Sequence, residues 1–439
     1  MSPVSRRLGL GEEQGLTMEQ IDVLVAGAGI GGTSAALAAA RLGARVVLAE
    51  AAPAIGGTGV HSAVGLICTW FDRSGRPINL GIHRELFPDI YRQPVTRVQT
   101  YDERALATRY RDLTAAEPNL RVRTGAAVTR VEAKDGRVVA VELADGGRFA
   151  PRMVVDGTAD GALAALAGAE FEFGRPGDRA LQPATLTFSV ADVDFAAFGV
   201  GDLYEWGNLT SAWDQLRPAF EERQRDGRCT IAKSGVLFFP LPDGHTLLFN
   251  QTRVHGVDPT DPAAVAAATA EARRQIDGFL PVLAGHPAFA RATPPRISAR
   301  LGVREGRRIL GDYQLTEADC LGEARFADMV AACGYAIDIH DPAGGGTRLV
   351  GIPGSGYYHI PLRCLTARRY ANLLMGSRCI SGTHEAHSSY RVMAPVSAIG
   401  QAAGTAAALA VAQQAEDVRE VGASRVRAAL AESGQFIEG

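Results

Sequence analysis

Apolar positions along this chain fall into a few sharply different patterns. An unbroken apolar run at 21–26 (IDVLVA) breaks into glycines, TSAALAAARLGA then carries small apolar residues at helical spacing up to Gly43, and ARVVLAE is a second unbroken run ending at Glu50. Unbroken runs this short, bounded by turns, predict strands buried on both faces, and the helical stretch between them predicts a parallel crossover. Residues 101–116 predict a helix. Beyond it, LRVRTGAAVTRVEAKDGRVVAVELADGGRF alternates apolar and polar positions around turns at Asp135-Gly136 and Asp145-Gly146-Gly147, which predicts an antiparallel meander. MVVDGTADGALAALAGA returns as a buried strand and a helix. Between about 170 and 345 the pattern changes to separated strands (ATLTFSVADV, SGVLFFPLP, HTLLFNQTRV) and a helix at 262–280. Near the end, NLLMGSRCIS predicts a strand and turn, and APVSAIGQAAGTAAALAVAQQ a long helix that opens at Pro395. The first 19 residues lack periodicity and read as a loose tail.

Composition narrows the class of protein. Of 439 residues 46% are hydrophobic and 21% charged, enough apolar surface for a large core. The net charge is -3, and Lys134 and Lys233 are the only lysines, the remaining basic residues being arginines spread along the chain. No basic stripe suits a nucleic acid. No run reaches the roughly 20 apolar residues of a membrane span, and no signal core follows Arg6-Arg7, so a cytoplasmic protein is expected. Six scattered cysteines without a C-x-x-C pair argue against an iron-sulfur cluster, a redox disulfide or structural zinc.

Gly27, Gly29 and Gly32 form G-x-G-x-x-G between the first strand and helix, and Glu50 ends the second strand. In this arrangement the first glycine permits the tight turn, the second admits a pyrophosphate to the backbone, the third lets helix and strand pack, and the acid receives ribose hydroxyls. Strand, loop, helix, strand and terminal acid together point to a dinucleotide. NAD and FAD share this signal, and downstream text separates them: Gly56-Gly57-Thr58, the DGTAD stretch at 156–160, and NLLMGSRCISGTHEAHSSYRVMAPVSAIGQAAGTAAAL.

On these motifs, together with LGVREGRRILGDYQLTEAD and AIDIHDPAGGG, the chain from about 21 to 415 resembles FAD-dependent oxidoreductases of the glutathione-reductase-type fold. More narrowly it resembles a bacterial family related to the flavoproteins of fumarate reductase and succinate dehydrogenase. The resemblance implies an α/β fold: a Rossmann-like FAD-binding domain of parallel sheet plus β-meander at 20–168 and 346–415, an inserted mixed β/α substrate or cap domain at 169–345, and a helical tail at 416–439. It also implies that FAD is held by Gly27, Gly29, Ile30, Gly31 and Gly32 at the pyrophosphate and by Glu50 and Ala51 at the adenosine ribose. Ala127 and Val128 would meet adenine, and Gly56, Gly57 and Thr58 would pass beside the flavin. Asp160, Gly376 and Arg378 would lie near the ribityl-pyrophosphate part. The last long helix would aim its start, Ser397 to Gln401, at the flavin pyrimidine, where free amides stabilise the charge of the reduced ring.

The chemistry expected is hydride transfer between a small molecule and FAD, with His384 as catalytic base and His387 beside it, because a group titrating near neutrality suits proton removal. Arg304, Arg307 and Arg308 form a cluster of which one member, Arg304 or Arg307 first, is a candidate for holding a substrate carboxylate or donating a proton; Arg391 and His340 are weaker candidates of the same type. A metal is not expected, since His384 and His387 do not match H-E-x-x-H. His61 or Cys68 stands where covalent flavin attachment is conceivable, but the expectation is noncovalent FAD. No second nucleotide fold is evident, so the flavin would exchange electrons with the substrate directly and the other half-reaction would use oxygen or an external carrier; a homo-oligomer is a further expectation. An electron-relay subunit, an RNA-modifying flavoprotein and a flavin monooxygenase or halogenase remain as alternatives; the last lacks the halogenase tryptophan motif, as Trp70, Trp206 and Trp213 are isolated.

Overall fold

The unbroken apolar runs fold as buried parallel strands. In the computed structural model, which describes residues 18–95 and 97–438, these are β1 (Glu19–Ala26) and β2 (Val46–Glu50), joined by helix α1 (Ile30–Arg41). They lie in a seven-stranded sheet with β3 (Leu120–Thr124), β4 (Val128–Lys134), β5 (Arg137–Leu143) and β6 (Arg148–Asp156), in the order β3-β2-β1-β6-β5-β4, and strand Leu373–Met375 also pairs with β6. β3, β2, β1 and β6 run parallel, as does Leu373–Met375, while β4 and β5 complete the expected meander by antiparallel pairing. The register aligns Ala26 with Ala49 and Asp156, and Asp156 with Met375. The carboxyl ends of these strands therefore share one edge, which is where open α/β sheets bind ligands. The tail expected at 1–19 lies outside the described residues apart from Met18 and Glu19.

Helix Met393–Ala412 packs against α1 backbone to backbone. A Cβ on Gly400 would stand 2.0 Å from the Gly31 carbonyl oxygen, and one on Gly404 2.0 Å from that of Ala35. Small residues recurring every four positions let the main chains touch. The expectation about membrane spans needs correction here: by length and composition this helix, of mean hydropathy 1.3, is apolar enough to cross a bilayer, and it is buried inside the protein. Its Ser397, Gln401 and Thr405 interrupt the run in the text, yet hydroxyls and small residues suit a close helix contact.

The stretch between β6 and Leu373–Met375 carries a four-stranded antiparallel sheet in the order Arg296–Ile297, Phe188–Val190, Leu247–Phe249, Phe238–Pro240. Its face holds a separate aromatic core in which Phe188 and Phe249 stack at 4.8 Å and Phe220 and Phe279 close over them. Two helices cover it, Pro262–Ala284 and Trp206–Arg225. The second was not foreseen. Gly207 and Pro218 interrupt its sequence, but Leu209, Ala212, Leu216 and Phe220 are buried at spacings of three and four, and that stripe gives the helix its place.

Candidate active site

A cleft of about 530 Å³ runs along the shared strand edge, within the usual size of a cofactor site. Gly27, Gly29, Ile30 and Gly31 line one end. Gly27 has φ +85° and a Cβ there would meet Gly157 and Thr158 at 2.8–2.9 Å, so both conformation and space require glycine. A Cβ on Gly32 would lie 1.8 Å from the Gly27 carbonyl oxygen; this third glycine closes helix onto loop and stands behind the cleft. Gly29, the cap of α1, offers no side-chain acceptor, leaving the first amides of the helix to a ligand.

Glu50 is buried, and its two oxygens accept from the amides of Ala28 at 2.7 Å and Ala52 at 2.8 Å. Each oxygen retains a second lone pair for a ribose hydroxyl. Ala51, Ala127 and Val128 line the cleft around it, and Gly57 and Thr58 lie farther along. Asp160 and Arg378 meet there as a 2.9 Å ion pair. A rim of bare amides, a placed acid and a long cavity fit an extended dinucleotide. No group of three or more histidine, cysteine or acidic residues placed to hold a metal occurs among the described residues.

Several expected positions stand elsewhere. Gly56 and Gly376 are not in the cleft lining; Gly376 packs behind α1, where its carbonyl would be 2.1 Å from a Cβ on Gly31. Ser397 bonds Ser34 at 2.9 Å, and Gln401 receives the Ile82 amide at 3.1 Å and reaches Ser433 at 2.9 Å. The helix starts two residues earlier than Pro395, so its cleft-lining start is Val392, Met393 and Val396, while Ser397 and Gln401 face neighbouring segments. His384 and His387 are also outside the lining and almost wholly enclosed. His384 Nδ1 lies 2.7 Å from Glu305 Oε1. With Nδ1 paired to Glu305 and no His384 atom in the cleft lining, the structure does not bring His384 to the position expected of a base in contact with substrate.

The arginine cluster separates into three environments. Arg304 lines the far end of the cleft and donates to Pro183 O at 2.6 Å, Thr185 Oγ1 at 2.8 Å and Asn250 Oδ1 at 3.4 Å, none of them a carboxylate. Burial and the nearby Arg391 lower its pKa to about 9. Arg307 lies over the Phe171 ring instead, and Arg308 is buried against Glu305 at 2.8 Å. Around Arg304 are residues that the text did not single out: Thr185, Thr187 and Asn250 in the lining, with Lys233 donating to Asn250 O at 2.7 Å behind them. Burial holds Lys233 well below an ordinary lysine, with Arg304 and Arg253 adding to the effect. Cys68 and Arg391 line the same end, and burial pushes the Cys68 thiol up to about 12, which leaves it a poor nucleophile. Thr185 and Thr187 had a legible signal, since alternate positions of a strand share a face, and Cys68 was marked by its place after the Gly56-Gly57-Thr58 turn; Asn250 had none.

Residues 22–430 match the family described as FAD dependent oxidoreductase. Among solved structures, similarity extends to a geranylgeranyl bacteriochlorophyll reductase-like protein of Thermoplasma acidophilum, at 11% identity over 95% of this chain and 84% of that one, TM-score 0.45. A myxobacterial chondrochloren halogenase gives 15% identity over 95% and 81%, TM-score 0.42. A p-nitrophenol 4-monooxygenase of Pseudomonas putida gives 15% over 68% and 71%, TM-score 0.38.

Proposed function

The chain belongs to the FAD-dependent oxidoreductase family, and from that premise we propose that it holds one FAD along the strand-edge cleft and moves a hydride between the cofactor and a small molecule bound beside Arg304. The observation that carries this reading is the continuity of the cleft from Glu50 and the glycine loop, past Gly57, Thr58 and the start of helix Met393–Ala412, to Arg304. FAD, when bound, supplies the two-electron acceptor.

The protein's own part is placement and charge. Gly29 and Gly31 present amides to the pyrophosphate, and Glu50 takes the ribose hydroxyls. The uncapped start of Met393–Ala412, which lines the cleft, would turn its positive end toward the ring system. A guanidinium enclosed without an acid costs several kcal/mol until an anion meets it. Arg304, hydrogen-bonded only to neutral oxygens and with its charge offset in part by the nearby Asp338, is therefore the group that would grip a carboxylate or another anionic part of the substrate, steadied by Thr185 and Asn250. A dehydrogenase or oxidase of the bacterial cytoplasm, of the glutathione-reductase-type fold and related to the flavoproteins of fumarate reductase and succinate dehydrogenase, is the finer form of the proposal; the motifs quoted from the sequence support it. The separate aromatic core, drawn almost wholly from residues 184–301, supports a substrate domain inserted at 169–345 into an FAD domain of 20–168 and 346–415.

Purified protein should be yellow and should release intact FAD on heating. Colourless protein that cannot be reconstituted with FAD would remove the basis of this reading.

A further inference from the structure

Helix His384–Tyr390 carries a row of polar groups that cofactor binding does not explain. His384, His387 and Arg391 recur at spacings of three and four and so lie along one face, spanning about 10 Å at the rise of an α-helix. The inner end is the Glu305–His384 pair; Glu305 also accepts from Arg308 at 2.8 Å and from the Gln182 amide at 3.2 Å. The outer end is Arg391, which lines the cleft and donates to Asp338 at 3.2 Å. Between them His387 is fully buried with neither ring nitrogen partnered, and His384 Nε2 and the Nε atoms of Arg378 and Arg391 are likewise without partners. Arg378 lines the cleft too.

The charged and titratable groups facing His387 are Arg308 and Arg378 from other segments and Arg391, His384 and the edge-on ring of Tyr390 from its own. Burial, then these cations, hold its imidazole well below the ordinary histidine range, so it is neutral. A neutral imidazole accepts a proton at one nitrogen and releases one from the other. Orphaned polar atoms are rare in protein interiors, and several gathered in one place mark a site for bound water.

We propose that these atoms enclose a short water chain through which His387 passes protons between the cleft and the Glu305–His384 pair. The proposal rests on the FAD reading. During substrate oxidation the C–H bond breaks with its electron pair leaving as hydride to FAD. The O–H or N–H bond of the substrate breaks as well, and its proton travels by way of His387 to the Glu305–His384 pair, where Nε2 of His384 can hold it. His387 is thus a relay and Glu305 a positioning residue; neither touches substrate.

The experiment needs no substrate. The holoenzyme is reduced in a stopped-flow instrument with reduced methyl viologen, which carries no protons, while flavin absorbance and a pH-indicator dye are followed together in weak buffer. In the parent protein proton uptake should track flavin reduction. In His387→Leu it should lag by about 10²-fold, the lower range for losing a proton-transfer group, with the oxidised spectrum unchanged, and imidazole should restore the rate in His387→Ala. Two electrons from the viologen draw one proton to the reduced flavin and, through the relay, a second to the Glu305–His384 pair, which offsets the charge of the anionic ring, so in Glu305→Gln the uptake per flavin should fall from about two protons to about one, for the single acceptor removed. Should Glu305→Gln fail to fold, His384→Gln tests the same loss. Synchronous uptake in His387→Leu, or unchanged stoichiometry in the Glu305 and His384 variants, overturns the relay. Failure to bind FAD in the parent protein would instead overturn the reading on which it rests.

Discussion

Replacing Glu50 with glutamine changes one atom of the cofactor site and leaves its shape intact. The carboxylate now takes two backbone amides, from Ala28 at 2.7 Å and Ala52 at 2.8 Å. Glutamine keeps one acceptor and turns an amide NH₂ toward the other N–H, donor against donor. An unsatisfied buried donor costs about 1–3 kcal/mol, and a lost hydrogen bond from ribose to a charged acceptor about 1.5–3 kcal/mol. The first cost falls on the cofactor-free protein, the second on binding. FAD affinity should therefore weaken by about 10- to 100-fold, and the cofactor-free variant should melt several degrees lower, at roughly 2–4 °C per kcal/mol for a domain of this size. Titrating cofactor-free protein with FAD by flavin fluorescence measures the one, and differential scanning calorimetry the other. Lowered melting with affinity within about twofold of the parent would show that Glu50 only braces the loop and does not meet the ribose; no change in either would refute the reasoning entirely.

Gly400→Ala should lower thermal stability by about 1–3 kcal/mol, the usual cost of overpacking, because its Cβ would stand 2.0 Å from the Gly31 carbonyl oxygen; a parent-like melting curve would show that the helices separate freely. NADH and NADPH should reduce the flavin far below the typical turnover of about 10 per second, since one dinucleotide cleft serves FAD; stopped-flow absorbance at the flavin band decides it. Burial lowers His83 to about 3, and burial followed by Arg304 lowers His340 to about 3. Unfolded, both titrate near 6.5, so between about pH 6.5 and 3 the unfolded chain binds more protons and stability falls as pH drops, by up to about 1.4 kcal/mol per unit per histidine. Urea unfolding across this window should show that slope, and His83→Phe should flatten it by one histidine's share.

The nucleotide half of the protein was legible because its information is local. Glycine loop, helix and terminal acid sit within one crossover, and each glycine answers to a contact made by its own neighbourhood or the adjoining strand. The substrate end was not legible in that way. Arg304, Asn250, Cys68 and Arg391 come from four distant segments, and nothing in the chain text says that Arg304 faces the cleft while Arg307 and Arg308 turn away. His384 was misplaced for the same reason. Proximity of its segment to the cofactor can be inferred from motif order, but whether a helical residue faces the cleft or the interior depends on the phase of helix His384–Tyr390, which Thr383 sets by capping it through the Ala386 amide.

The main-chain contact of α1 with helix Met393–Ala412 fixes more than stability. Gly31 lines the cleft near the first turn of one helix, and Val392 and Met393 line it at the start of the other. With Gly31 against Gly400 and Ala35 against Gly404 the main chains touch, and the Ser34–Ser397 hydrogen bond at 2.9 Å ties the same two helices together. The two positive helix ends are held like the jaws of a locked caliper, at a gap written in backbone rather than in side-chain packing. Such a gauge measures cofactor length: a mononucleotide can occupy only one jaw, and the sheet and both helices can keep that setting while the separately cored sheet that carries Thr185, Thr187 and Asn250 is remodelled for a different substrate.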